Sequence, residues 1–153
     1  MILFFSSAAL VLILDQISKH IVASSMELGS SIPVIKGVFE LTYIRNTGAA
    51  WGILEDKQLL LQIFTALLMA GIVIYAVVSR KKMTRCELLS LGLILGGGLG
   101  NFVSRVIYGY VVDFFNIQIM PVFNVADIGI TVGCAILVIV TLLSAKTEKP
   151  DGQ

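Results

Sequence analysis

Four long apolar stretches, at about residues 2–23, 58–79, 88–107 and 127–145, decide what this chain can become. Crossing the hydrocarbon core of a bilayer takes roughly 20 apolar residues of helix, a conformation that satisfies its own backbone hydrogen bonds. Each stretch reaches or nearly reaches that length. Their apolar residues run continuously rather than at amphipathic spacing, so no single face could be turned inward in water. With 57% hydrophobic and 14% charged residues, a soluble fold of this size could not hide so much apolar surface. The fold class expected is therefore membrane all-α: four transmembrane helices in a single integral membrane domain, 1–153. A net charge of +1 argues for neither nucleic acid nor an acidic partner. Partners are expected to be lipid or lipid-embedded.

The first stretch lacks a basic leader and carries Asp15 and Lys19, so it reads as a retained helix and not as a cleaved signal peptide. Arg80, Lys81, Lys82 and Arg85 crowd the connection between the second and third stretches, and Lys146 and Lys149 follow the fourth. The 108–126 connection has no Lys or Arg, and the 24–57 connection mixes Lys36, Arg45 and Lys57 with four acids. By the positive-inside rule both termini are cytoplasmic and these two connections face outward. The 24–57 connection is rich in β-branched and aromatic residues, and Phe39-Glu40-Leu41-Thr42-Tyr43 alternates. It predicts one or two short strands in a small extracytoplasmic β-sheet. Asn46-Thr47-Gly48-Ala49-Ala50-Trp51-Gly52 then reads as a turn, with Trp51 suited to the membrane interface.

Gly92, Gly96 and Gly100 recur at four-residue spacing, which lets another helix approach closely. The run 96–100 is no phosphate loop, since no Gly-Lys-Ser/Thr follows. Cys86 and Cys134 lie outside any CxxC or Cys/His cluster, and the single His20 has no second ligand nearby. The cysteines read as buried, inert thiols, and no metal is expected.

Polar residues inside the spans need a reason, because a membrane-embedded charge costs roughly 2.5–3.5 kcal/mol on insertion scales. Asp15 and Lys19 are four apart and can pair on one helical face, either fixing the first helix or serving a substrate. Asn101 and Arg105 are also four apart; Arg105 either snorkels to headgroups or turns inward to hold backbone or carboxylate oxygens. Asp113 lies just beyond the third span and Asp127 opens the fourth. The chain between them only has to turn round, and it is itself apolar. Two acids thus meet in a poorly hydrated place, near Asn124 and Arg105. Such carboxylates share a proton and titrate as a unit, the state an aspartic protease uses. Taken singly, Asp127 could be a helix N-cap and Asp113 a turn residue.

Asp15-Gln16-Ile17-Ser18-Lys19, the 46–52 run, Gly100-Asn101-Phe102-Val103-Ser104-Arg105, Gly109-Tyr110-Val111-Val112-Asp113-Phe114 and Phe123-Asn124-Val125-Ala126-Asp127 together resemble lipoprotein signal peptidase, signal peptidase II. The resemblance runs in order from about residue 10 to 135. It implies a bacterial inner-membrane aspartic endopeptidase that cuts the signal peptide from a prolipoprotein just before a diacylglyceryl-modified cysteine. It implies Asp113 and Asp127 as the catalytic dyad. Asn46, Gly48, Asn101, Arg105 and Asn124 would position substrate backbone or the dyad, and Asp15 with Lys19 would support the site. No cofactor or metal is implied, and the enzyme is expected to be a monomer. Grooves between spans would hold acyl chains, and the outer loop with Trp51 would close as a lid. Ser104 stands where the family's usual Asn-x-x-Asp-Arg has an acid, leaving Arg105 without that neutralising charge. A presenilin-type protease is disfavoured by the absence of Gly-x-Gly-Asp at Asp113. A proton-relay membrane protein is disfavoured by acids placed at helix ends.

Overall fold

The structure, a computed structural model, describes residues 1–48 and 57–147. Trp51 and the lid-like segment lie outside the described residues. Four helices form, α1 (Ile2–Ser25), α2 (Gln58–Ser79), α3 (Arg85–Tyr108) and α4 (Val125–Thr147), and all are long and apolar enough to cross a membrane. The expected spans 2–23, 58–79, 88–107 and 127–145 are these four helices, displaced by at most three residues.

The displacement at α3 has a local cause. Thr84 caps the helix: its hydroxyl accepts from the Glu87 N–H, and the Glu87 carboxylate accepts from the Thr84 N–H. This reciprocal pair satisfies two donors that would otherwise be left open, so the helix begins before its apolar run. At the other end Gly109 takes a left-handed conformation at φ 75 and returns its N–H to the Arg105 carbonyl.

Helix α3 is the centre of the bundle, with α1, α4 and α2 packed around it. Its glycines make this possible. Gly92, Gly96 and Gly100 all face α1, as their spacing predicts; a Cβ at Gly96 would lie 2.5 Å from the Ala8 carbonyl oxygen. Gly97 faces α4 instead. Helix α2 stands apart, burying only Met69 and Ala76 and leaving Leu59, Phe64, Leu67 and Val78 outward. In a bilayer such a surface needs no protein cover. Cys86 and Cys134 are exposed as well, which corrects their expected burial. An apolar run that faces lipid looks the same in sequence as one that faces a core.

At the bundle end where α1 and α3 finish and α2 and α4 begin sits an antiparallel sheet in the order β1 (Ser31–Ile35), β2 (Phe39–Asn46), β3 (Val111–Asn116). The first two strands are those expected in the 24–57 connection. The third was expected to be only a turning connection, and instead it places Asp113 in the sheet opposite Ile44. Residues Val111 to Phe114 are buried without alternation. Val112 and Phe114 pack on Tyr43 and Val22, while Val111 and Asp113 line a cavity on the other face. A strand covered on both faces shows no period-two pattern to read. After a turn at Gln118, Phe123 returns to pair with Phe115, bringing Asn124 beside Asp113.

Candidate active site

Asn124 is fully buried and caps α4. Its Oδ1 accepts from the Asp127 N–H at 3.0 Å, and Asp127 Oδ2 accepts from the Asn124 N–H at 3.1 Å. This is a reciprocal capping box with an aspartate in the place usually held by Glu or Gln. The remaining Asn124 group, Nδ2, donates to Asp113 Oδ1 at 2.6 Å and to Asn101 Oδ1 at 3.1 Å. One side chain therefore ties the start of α4, the strand β3 and the helix α3 together. Through it Asp113 and Asp127, fourteen residues apart, come to line one cavity of about 300 Å³.

Each carboxylate receives two donors. Asp113 Oδ2 accepts from Asn46 Nδ2 at 2.9 Å, in addition to Asn124. Asp127 Oδ1 accepts from Asn101 Nδ2 at 2.8 Å, in addition to the backbone of Asn124. Asp113 is only 2% exposed. Burial holds its carboxyl well above the usual range, at about 6, with the nearby Asp127 charge adding to the effect; the bonds from Asn46 and Asn124 and the charge of Lys19 oppose it.

Asp15 and Lys19 are joined at 2.7 Å, the one ion pair among the described residues, and both are buried. Asp15 Oδ1 accepts the Ala126 N–H at 2.9 Å, so α1 supplies an acceptor to the first turn of α4. A Cβ at Gly100 would lie 2.5 Å from Asp15 Oδ2, which is why α3 carries glycine there. Lys19 Nζ donates onward to Asn101 Oδ1 at 2.9 Å.

Arg105 lines the same cavity but pairs with neither acid: its Nη2 donates to the Gly48 carbonyl at 2.8 Å. Its buried Nε has no partner among the described residues. Ser104 turns the other way. Its hydroxyl donates to the Gly100 carbonyl at 3.0 Å and lies 3.4 Å from Lys19 Nζ. This corrects the expectation that residue 104 would bear on the charge of Arg105; adjacent helical residues point about 100° apart, and position 104 faces Lys19.

All nine predicted residues (Asp15, Lys19, Asn46, Gly48, Asn101, Arg105, Asp113, Asn124 and Asp127) thus gather in one connected region. Three participants, all glutamines, were missed. Gln16 Nε2 donates to Asp15 Oδ2 and to the Gly100 carbonyl, both at 3.0 Å. Gln62 of α2 donates to the Arg105 carbonyl at 3.1 Å, and Gln58 to that of Gly109. An amide in an otherwise apolar span was the available signal. No group of three or more His, Cys, Asp or Glu among the described residues is placed to hold a metal.

The family Signal peptidase (SPase) II, a peptidase family, matches residues 7–143. A protein named lipoprotein signal peptidase from Brevibacillus brevis (strain 47 / JCM 6285 / NBRC 100599) is 42% identical over 148 residues, 95% of this chain and 99% of that one. A bacterial membrane enzyme solved by the in meso method at 2.3 Å resolution superposes with a TM-score of 0.86 at 35% identity, covering 98% of this chain and 93% of that one. A second, at 1.9 Å, gives 0.81 at 35% identity, with 91% and 92% covered. The four apolar spans, the sheet at their end and the match along most of the sequence make this chain a multi-pass membrane protease of the signal peptidase II family.

Proposed function

We propose that this peptidase removes the signal peptide of diacylglyceryl-modified prolipoproteins, cutting just before the lipidated cysteine, with Asp113 and Asp127 as its catalytic dyad. The observation that carries the dyad is the Asn124 amide, bonded at once to Asp113 and into the capping box of Asp127. A water between the two carboxylates gives a proton to Asp127 as its oxygen attacks the scissile carbonyl carbon. Asp113, which holds its proton to about pH 6, gives that proton to the carbonyl oxygen. Collapse of the tetrahedral intermediate breaks the C–N bond: the amine leaves with the proton that Asp127 had taken, and one hydroxyl of the diol returns its proton to Asp113, which restores both carboxyls. One shared proton also balances the charges. With it, Asp15, Lys19, Arg105, Asp113 and Asp127 sum to zero, the cheapest state for ions in a dry place.

Arg105 holds Gly48 and keeps an N–H that is uncommitted among the described residues, so it is suited to a substrate carbonyl. Below the site, a groove of about 180 Å³ runs between α2 and α4 past Leu68, Ile72, Ile94 and Ile130, and Asn101 and Arg105 line it too. An acyl chain or the signal helix fits such a wall, and an anchored substrate arrives with much of its positioning entropy already spent. The Lys and Arg residues around 80–85 lie at the bundle end opposite the sheet. This supports cytoplasmic termini and an active site on the extracytoplasmic side of a bacterial cytoplasmic membrane.

The test is cleavage of a diacylglyceryl-modified prolipoprotein by purified wild type, Asp113→Asn and Asp127→Asn, read as a gel shift. Wild type is expected to cut, and both variants to be folded and inactive. Near-normal cleavage by either variant would sink the dyad.

A further inference from the structure

An asparagine amide can present either its oxygen or its NH₂ to a carboxylate, and only the second is attractive. Three asparagines face the two acids, and in each the oxygen is engaged by a donor that cannot reverse its role. Asn46 Oδ1 accepts the Gly48 N–H at 2.9 Å, and Asn124 Oδ1 accepts the Asp127 N–H at 3.0 Å. Both of those donors are backbone groups. Asn101 differs: its Oδ1 is held by Lys19 Nζ at 2.9 Å, with Asn124 Nδ2 as a second donor. An ammonium has donors only, so Asn101 must turn its Nδ2 to Asp127.

We infer that Lys19 is a positioning residue of the cleavage reaction: from outside the catalytic cavity it fixes and polarises the Asn101 amide on Asp127, and its charge sets the pH range of the dyad. A charged donor on the oxygen strengthens the N–H bond at the far end of the same amide. Asp15 is the balancing element. It holds Lys19 at 2.7 Å and accepts the Ala126 N–H, so the ammonium and the start of α4 keep one spacing. The charged and titratable groups around Lys19 are Asp15 and His20 on α1, Tyr108 on α3, Tyr110 just before β3, Asp113 in β3, and Asp127 on α4. Asp15 touches Lys19, while His20, Tyr108 and Tyr110 line a small cavity beside it with the Ser104 hydroxyl.

This inference rests on the proposed dyad, and its signs separate it from a merely structural role. Removing the positive charge makes the carboxylates harder to ionise, and removing the negative one makes them easier. Lys19→Met should lower kcat by about 10- to 100-fold, the range for losing a hydrogen bond to a charged group, with KM within about twofold. Its bell of kcat/KM should move up by about one pH unit. Asp15→Asn keeps the Lys19–Asn101 bond and an oxygen for Ala126, and its bell should move down. Asp15→Asn/Lys19→Met strands no charge and carries the test if Lys19→Met does not fold; its kcat should be low with little pH displacement. A wild-type kcat in Lys19→Met or in the double variant, or bells moving in the same direction in the two single variants, overturns the inference. Wild type failing on lipidated substrate while folded overturns the functional reading beneath it instead.

Discussion

Gly97→Ala tests how closely the chemistry depends on the seat of α4 against α3. A Cβ at position 97 would lie 2.3 Å from the Ala126 carbonyl oxygen and 2.7 Å from Ile130 Cγ1. The first of these is backbone and cannot rotate away. Restoring an ordinary contact of about 3.4 Å takes roughly 1 Å of separation between the helices, at the residue next to Asp127. The Asn101–Asp127 bond, now 2.8 Å, would stretch beyond hydrogen-bonding range. Misplacement on the order of 1 Å costs about 100-fold in rate, and overpacking costs about 1–3 kcal/mol of stability. The neighbouring Gly98→Ala is the control, because its Cβ meets only the flexible Met69 side chain at 3.4 Å. Cleavage of lipidated substrate and thermal unfolding in detergent, measured on both variants, read the two effects. Equal activity in Gly97→Ala and Gly98→Ala would refute the reasoning, since one methyl group at adjacent positions would then have no directional consequence.

Further outcomes follow from the acids. Asp113 loses its proton as pH rises through about 6, so kcat/KM should fall on the alkaline side with an apparent pKa near that value. The alkaline limb of kcat should lie higher, because a bound lipid chain dries the site further. Asn46→Ala removes a donor that stabilises the Asp113 carboxylate, so that limb should move to higher pH while kcat drops about tenfold or more. Linkage gives a separate check on stability. A carboxyl raised from 3.8 to about 6 contributes stability that is full below the unfolded value and lost as pH rises through the folded one. At about 1.4 kcal/mol per pH unit, Asp113→Asn should gain on wild type by on the order of 3 kcal/mol between acidic conditions and pH 8, measured by unfolding at both.

The four spans were legible because bilayer thickness forces a length that nothing else in a short chain requires. The nine residues of the proposed site were legible mainly as polar groups where a membrane tolerates few, and the motif order joined them. What was hidden had physical causes. Strand β3 is buried on both faces, so Val111 to Phe114 carry no alternation, and Asp113 looked like part of a turning connection. Cys134 faces outward from an apolar run whose exposed and buried sides are chemically alike. The orientation of Ser104 toward Lys19 depends on the rotation of α3, which its glycines determine only once α1 and α4 are known to flank it. The role of Gln62 depends on α2 reaching the Arg105 carbonyl, a pairing that no local pattern encodes.

The structure also dissolves an opposition present in the sequence. An aspartate at the start of a helix can be read as an N-cap or as a catalytic group; Asn124 takes the N-cap position here, and Asp127 completes the cap from inside the helix while facing the cavity of the proposed dyad. As the third residue of α4 its carboxylate closes the capping box with Asn124, and the positive end of the helix favours a negative charge there. The same bonds leave it no freedom to rotate away from Asp113. A catalytic carboxylate must otherwise give up side-chain entropy on reaching its working geometry; here helix formation has already fixed it. Asp113 is held by a different device, the sheet, which pairs its strand to β2 and sets Asn46 against its free oxygen. Helix capping and strand pairing are both satisfied as the chain folds, so the proposed dyad is assembled before any substrate reaches it.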